Sequence, residues 1–170
     1  MVKVRIETEI AASPAEVRAI VFDFARYPEW HKGFINSIAP TAPNKSSYEI
    51  LPGETLNTKI GGVSLSPVVV SNTTTEFAWR GSVYGGAFAG RHYCQFIASH
   101  VTPSGTTFVH GEDYDGWMSW LFGEGALGIG RKNVVAMFGQ FNIDVKRRAE
   151  DMKKLEQGIQ QTQTEPYSKL

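Results

Sequence analysis

The sequence predicts an α+β domain in which a curved antiparallel sheet of about seven strands wraps around one long C-terminal helix, with two short helices after the first strand. Three observations predict it. An amphipathic strand, Val2–Ile10, runs directly into the helix-start signal Ser13-Pro14-Ala15-Glu16. A long middle region consists of strand-like segments separated by tight-turn residues. From about Gly130 the apolar residues change to helical spacing.

In the first strand Val2, Val4, Ile6, Thr8 and Ile10 alternate with Lys3, Arg5, Glu7 and Glu9. That is the period of two of a half-buried strand. Ser13 suits an N-cap, Pro14 suits N1, and Glu16 at N3 completes a capping box. Val17, Ile20, Val21 and Phe24 then form a core-facing helical stripe. A second short helix starts at Pro28 and stops at Gly33, and Phe34–Ile38 reads as the next strand. Turns are expected at Pro52-Gly53, Gly61-Gly62, Asn72–Thr75, Gly85-Gly86 and Pro103-Ser104-Gly105. The segments between them, Tyr48–Leu51, Thr55–Ile60, Ser66–Ser71, Glu76–Gly81, Phe88–His100 and Thr106–Tyr114, read as strands. Successive tight turns favour an antiparallel meander. In the last element Val134, Phe138, Phe141, Val145, Ala149 and Met152 recur every three or four residues, which predicts a helix to about Gln157. Its charged second half reads as solvated. Residues 1–157 form one domain, followed by a polar tail over 158–170.

The 170 residues suit a single domain with a core that needs no staple. Lys plus Arg and Asp plus Glu are both 17, so the net charge is zero. This argues against nucleic acid or an anionic membrane as partner. Cys94 is the only cysteine, so no internal disulfide forms, and a reducing, cytoplasmic setting is expected. No signal-peptide pattern and no membrane-spanning run is visible.

Strand parity points to a site. With Phe88 and Phe96 facing inward, His92, Cys94 and Ala98 face inward too, and Arg91, Tyr93 and Gln95 face out. On the next strand Phe108, His110, Glu112 and Tyr114 share the inner face unless a bulge intervenes. An imidazole beside a carboxylate is equipment for general acid–base chemistry near neutral pH. An apolar cavity would favour the protonated carboxyl of Glu112, so that it serves as the acid while His92 serves as the base. His92 and Glu112 have a structural alternative, a local hydrogen bond and an ion pair at the sheet end. Trp79 is placed to stack on a flat ligand or to fill core, and Asn142 beside the buried helix stripe needs a partner. Phe96, Phe138 and Phe141 are expected cavity walls.

Other patterns are weaker. His92, His110 and Glu112 form a three-donor set by geometry, but no metal-helix spacing or CxxC pair accompanies them, and no metal is expected. Gly123–Gly128 matches GxGxxG yet lacks the following parallel strand of a dinucleotide site, so no nucleotide cofactor is expected. The glycine-rich stretch Gly81–Gly90, with Tyr84 and Phe88, reads as a lid or as a hairpin with a long turn. The cluster Trp117-Met118-Ser119-Trp120-Leu121-Phe122 seals the core, forms part of an entrance, or docks a partner; sealing is favoured.

Several stretches carry a resemblance: Ile10–Val17, Tyr27-Pro28-Glu29-Trp30, Glu76–Gly81, Gly90-Arg91-His92-Tyr93 and Gly111–Gly116. With the element order, they resemble the helix-grip fold of the START and Bet v 1-like (SRPBCC) superfamily, in particular its polyketide cyclase/dehydrase-like members. The resemblance runs from about Val2 to Leu155. It implies a cavity for a small hydrophobic, aromatic or polyketide-like molecule and cyclisation or dehydration without a cofactor. His92 and Glu112 are then catalytic, His110, Tyr114 and Asn142 orient ligand oxygens, and Trp79, Tyr84, Phe88, Phe96, Phe138 and Phe141 contact the ligand. The superfamily also contains noncatalytic carriers of lipids or pigments and co-chaperones, so those roles stand beside the enzyme.

Overall fold

The computed structural model describes residues 1–123 and 129–164. In chain order the elements are β1 (Val2–Ile10), α1 (Pro14–Phe22), α2 (Tyr27–Trp30), β2 (Ile35–Pro40), β3 (Leu56–Ile60), β4 (Val63–Leu65), β5 (Val68–Asn72), β6 (Glu76–Val83), β7 (Phe88–Ala98), β8 (Thr106–Tyr114) and α3 (Ile129–Thr164). Single 3-10 turns lie at Phe24–Arg26, Ser47–Glu49 and Ser119–Phe122.

The fold is α+β, and α3 packs on the concave side of the larger sheet. That sheet is antiparallel with the order β1-β8-β7-β6-β5, and a smaller one has the order β2-β3-β4. Among the described residues the strands thus number eight in two sheets, where about seven in one sheet were expected. Relative to the expected segments, one strand is gained and one is lost. Gly61 and Gly62, with φ of 56° and 83°, fold β3 back into β4, a strand too short to show a period of its own. The segment Tyr48–Leu51 is not a strand, because Ser46 and Glu49 form a capping box around a 3-10 turn.

The Ser13 box forms as expected: Ser13 Oγ accepts from Glu16 N at 3.3 Å, and Glu16 Oε2 accepts from Ser13 N at 2.5 Å. The α1 helix ends at Phe22, so Phe24 lies in the next turn, though its ring still joins the core. The α3 helix continues past Gln157 to Thr164. Residues 165–170 of the expected tail, and all of the GxGxxG match beyond Gly123, lie outside the described residues.

The β7–β8 ladder pairs without a bulge from Gly90↔Tyr114 to Ala98↔Thr106. The parity argument therefore holds along its length: His92, Cys94, Phe96, Phe108, His110 and Tyr114 are all buried. Ala98, at the end of β7, is exposed instead. Tyr93 points to the outer face but is buried there with Ala78 and Val109. Its ring lies over Gly111, where an added Cβ would meet the phenol oxygen at 2.5 Å.

The 117–122 cluster is split. Phe122 stacks on Tyr114 with ring centroids 4.2 Å apart, whereas Trp117 and Trp120 are 70% and 57% exposed. Sealing is thus the work of Phe122, and the two tryptophans face solvent. Among the described residues no helix is long and apolar enough to cross a membrane.

Candidate functional site

Strand register builds the site. Trp79 on β6 pairs with His92 on β7, which pairs with Glu112 on β8; Cys94 pairs with His110. Alternation then aims Trp79, His92, Glu112 and His110 at the concave face, where α3 supplies Phe138 and Asn142. The Trp79 indole stacks on His92 at 4.3 Å, and Phe138 stacks on His110 at 4.1 Å. These contacts hold both imidazoles in one orientation.

A chain of polar contacts links the groups. Glu112 Oε2 is 3.5 Å from His92 Nδ1, and His92 Nε2 is 3.0 Å from His110 Nε2. His110 Nδ1 is 2.9 Å from Asn142 Oδ1, and Asn142 Nδ2 donates to Thr8 Oγ1 at 3.1 Å. Both nitrogens of His92 are therefore engaged. Gly90 makes room for Glu112, since a Cβ there would sit 2.8 Å from Oε1.

The electrostatics follow burial. His110 is completely buried, and desolvation, helped by the neighbouring His92, pushes its pKa well below 6.5, so the ring is neutral. Burial, with Glu112 alongside, pushes the Tyr114 phenol far up, and burial alone does the same to the Cys94 thiol. Tyr114 is thus a hydrogen-bond donor in its neutral form.

A cavity of about 190 Å³ opens against this chain. Of the residues expected there, Trp79, Phe88, His92, Glu112, Tyr114 and Phe138 line it. The remaining candidates lie elsewhere: Tyr84 is 74% exposed at the hairpin tip, and Phe96, Phe141, His110 and Asn142 are buried in the core outside the cavity wall. Sequence reasoning missed Phe34, Ile60, Leu65, Pro67, Val83 and Met137, which complete the wall. Ile60 and Leu65 come from the small sheet, whose position no period reveals. It also missed Thr8, although a hydroxyl on the apolar side of β1 was a visible signal. A second buried pair, His31 Nδ1 and Asp144 Oδ2 at 2.9 Å, was missed as well. A hollow of about 220 Å³ between α1 and α3 is bordered by Glu16, Asp23, Arg148 and Lys153 and lies apart from this chemistry.

Among the described residues His92, Cys94 and His110 bring three possible metal donors within 4.8 Å. Glu112, the third member of the set possible by geometry in the sequence, lies on the Nδ1 side of His92, away from His110. The two rings already bond each other through Nε2, so both imidazoles are engaged without an ion.

A curved sheet closed by a terminal helix over an apolar cavity with one polar end defines a helix-grip protein of the START/Bet v 1 type. The family model described as polyketide cyclase / dehydrase and lipid transport matches residues 1–150, and the chain belongs to that family. No curated protein sequence matches it. Solved structures share the fold. A START superfamily protein from Mycobacterium smegmatis is 18% identical, with a TM-score of 0.61 over 88% of this chain and 98% of that one. Norcoclaurine synthase from Thalictrum flavum, a point mutant with a transition-state analogue, is 8% identical, with a TM-score of 0.61 over 89% and 96%. The Aha1 dimer protein from Colwellia psychrerythraea is 13% identical, with a TM-score of 0.59 over 86% and 94%.

Proposed function

We propose that this protein binds a small, mostly apolar molecule, aromatic or polyketide-like, and catalyses its cyclisation or dehydration by general acid–base chemistry. The observation that carries the reading is a carboxyl group, Glu112, at the one polar end of an apolar cavity, backed by an imidazole. Glu112 exchanges the proton with the ligand. His92 is the base through Glu112 rather than by meeting the ligand alone, because both of its nitrogens are taken. Tyr114 donates to a ligand oxygen, and Trp79, Phe88 and Phe138 grip the carbon frame. No cofactor enters the scheme. At about 190 Å³ the cavity is below the roughly 300–1,000 Å³ of pockets for drug-sized molecules, which points to a compact ligand.

Native mass spectrometry of the purified protein, with identification of the released molecules, is the first test. A stoichiometric apolar compound that wild type converts and Glu112→Gln or His92→Ala leaves unchanged supports the enzyme. Equal turnover by these variants rejects it.

A noncatalytic carrier of a lipid or pigment is the second reading, favoured by a wall that is apolar over most of its area and by the lipid-transport part of the family description. It predicts binding that survives Glu112→Gln but not a change at Phe138, with no turnover. The exposed Trp117 and Trp120 favour a third reading, a protein-interaction module of the co-chaperone kind. An empty cavity that takes up no apolar dye would support it. The single buried cysteine suits a cytoplasmic location.

A further inference from the structure

The buried histidines His92 and His110 constrain where one proton sits. His110 Nδ1 faces Asn142 Oδ1 at 2.9 Å, and the Asn142 amide is oriented by donating to Thr8 Oγ1. The Phe138 backbone carbonyl, which can only accept, also lies close enough to this imidazole to favour an N–H on it. Nδ1 of His110 therefore carries its proton. Burial denies the ring a second proton, so Nε2 is a bare lone pair.

That lone pair faces His92 Nε2 across 3.0 Å. Two bare nitrogens at this distance repel, so His92 Nε2 is an N–H and donates to His110. If that is the only proton on His92, its Nδ1 is bare, and an ionised Glu112 would oppose it with a second acceptor. The contact is favourable only with one more proton between them. Either the Glu112 carboxyl donates to Nδ1, or Nδ1–H of an imidazolium donates to the carboxylate.

We propose that His110 and Asn142, braced by Thr8, are positioning residues that fix the direction of this hydrogen-bond chain and so keep one proton stored between Glu112 and His92. The other titratable groups against the chain are Tyr114 beside Glu112, Cys94 opposite His110, and His31 farther off. The phenol and the thiol keep their own protons and do not compete for this one. The catalytic consequence rests on the acid–base reading above: the resting site is an acid. In a dehydration, Glu112 gives the stored proton to the leaving hydroxyl, the C–O bond breaks and water departs. The neighbouring C–H proton then passes to the carboxylate as the C=C bond forms, and the pair is restored.

The test is nitrogen-15 NMR of the imidazoles in the ligand-free protein at neutral pH, repeated in Asn142→Asp. Wild type should show His110 protonated at Nδ1 and bare at Nε2, and His92 protonated at Nε2. The stored proton should show either as a second N–H on His92 or, by carbon-13 NMR of labelled Glu112, as a protonated carboxyl. A neutral His92 beside an ionised Glu112 overturns the proposal. In Asn142→Asp the new carboxylate supplies a counter-charge that lets His110 take a proton on Nε2. The chain then reverses, and the proton of His92 moves to Nδ1, facing Glu112. If Asn142→Asp does not fold, the wild-type spectrum alone decides. A wild-type His110 that is bare at Nδ1 overturns the proposal, as does a folded Asn142→Asp whose His92 tautomer is unchanged. The tautomers read as expected with no turnover of any bound compound would uphold the proton's location while removing the catalytic reading.

Discussion

Acidification from pH 7.5 to 5.5 should unfold this protein partly through His110. The ring is completely buried and held neutral, with a pKa well below its ordinary 6.5, chiefly by desolvation. The unfolded chain has no such restraint and takes up a proton near pH 6.5. Because the folded pKa is the lower one, the contribution of this group is fully present above pH 6.5 and is lost as the pH falls below it. Between pH 7.5 and 5.5 the unfolded state gains a factor of about ten from this site, which is about 1.4 kcal/mol. The carboxylates held low are outside this window. Glu9, lowered first by Ser99, and Glu16, lowered by Ser13, start below 4.5. The assay is urea unfolding of wild type and His110→Gln at both pH values. The variant has a lower stability throughout, but its loss on acidification should be smaller than that of wild type by about 1.4 kcal/mol. Equal losses in the two proteins would refute a neutral, proton-refusing His110.

Two substitutions separate packing from chemistry. Phe138→Ala removes a fully packed ring that stacks on His110 and lines the cavity, and urea unfolding should show a loss of about 3–5 kcal/mol. Gly90→Ala places a Cβ 2.8 Å from Glu112 Oε1, displacing a carboxylate that can move. The same Cβ meets the Asp113 backbone carbonyl at 3.2 Å, so the melting temperature should fall modestly, while turnover of the identified compound should fall roughly a hundredfold, the scale of a misplaced catalytic group.

Much of this architecture is legible because it is local or strictly periodic. Ser13 and Glu16 announce α1 within four positions, and the alternation from Phe88 to Tyr114 needs only an unbroken ladder to aim His92, His110 and Glu112 at one face. What period does not carry is depth and partnership. It places His110 and Asn142 on buried faces but does not say that they bond each other instead of a ligand. It also misses β4, whose three residues are too few to display an alternation, and with it Leu65 in the cavity wall. The Ser46–Glu49 box was equally readable, but the apolar Tyr48, Ile50 and Leu51 around it mimic a strand. Trp117 and Trp120 show the converse: hydrophobicity alone suggests burial, and the structure exposes both.

The polar chain itself is an argument about selection. His110 packs against Phe34, Phe138 and Phe141 and His92 against Phe138, positions where apolar side chains would pack without any hydrogen-bonding requirement, and Asn142 and Thr8 extend the chain from them. Such networks tend to be neutral or unfavourable to stability compared with a well-packed apolar core of the same volume. If this one serves chemistry, the combined replacement Thr8→Val, His110→Phe, Asn142→Leu should leave the fold intact and equal or raise its stability while abolishing turnover. If it serves instead to set how α3 docks on β1 and β8, the same protein should be less stable, because the contact from Asn142 to Thr8 ties the helix to one register against the sheet. Urea unfolding and turnover measured on that triple variant therefore separate a site retained for function from a lock retained for structure. A stable, inactive protein favours the first, and an unstable one the second.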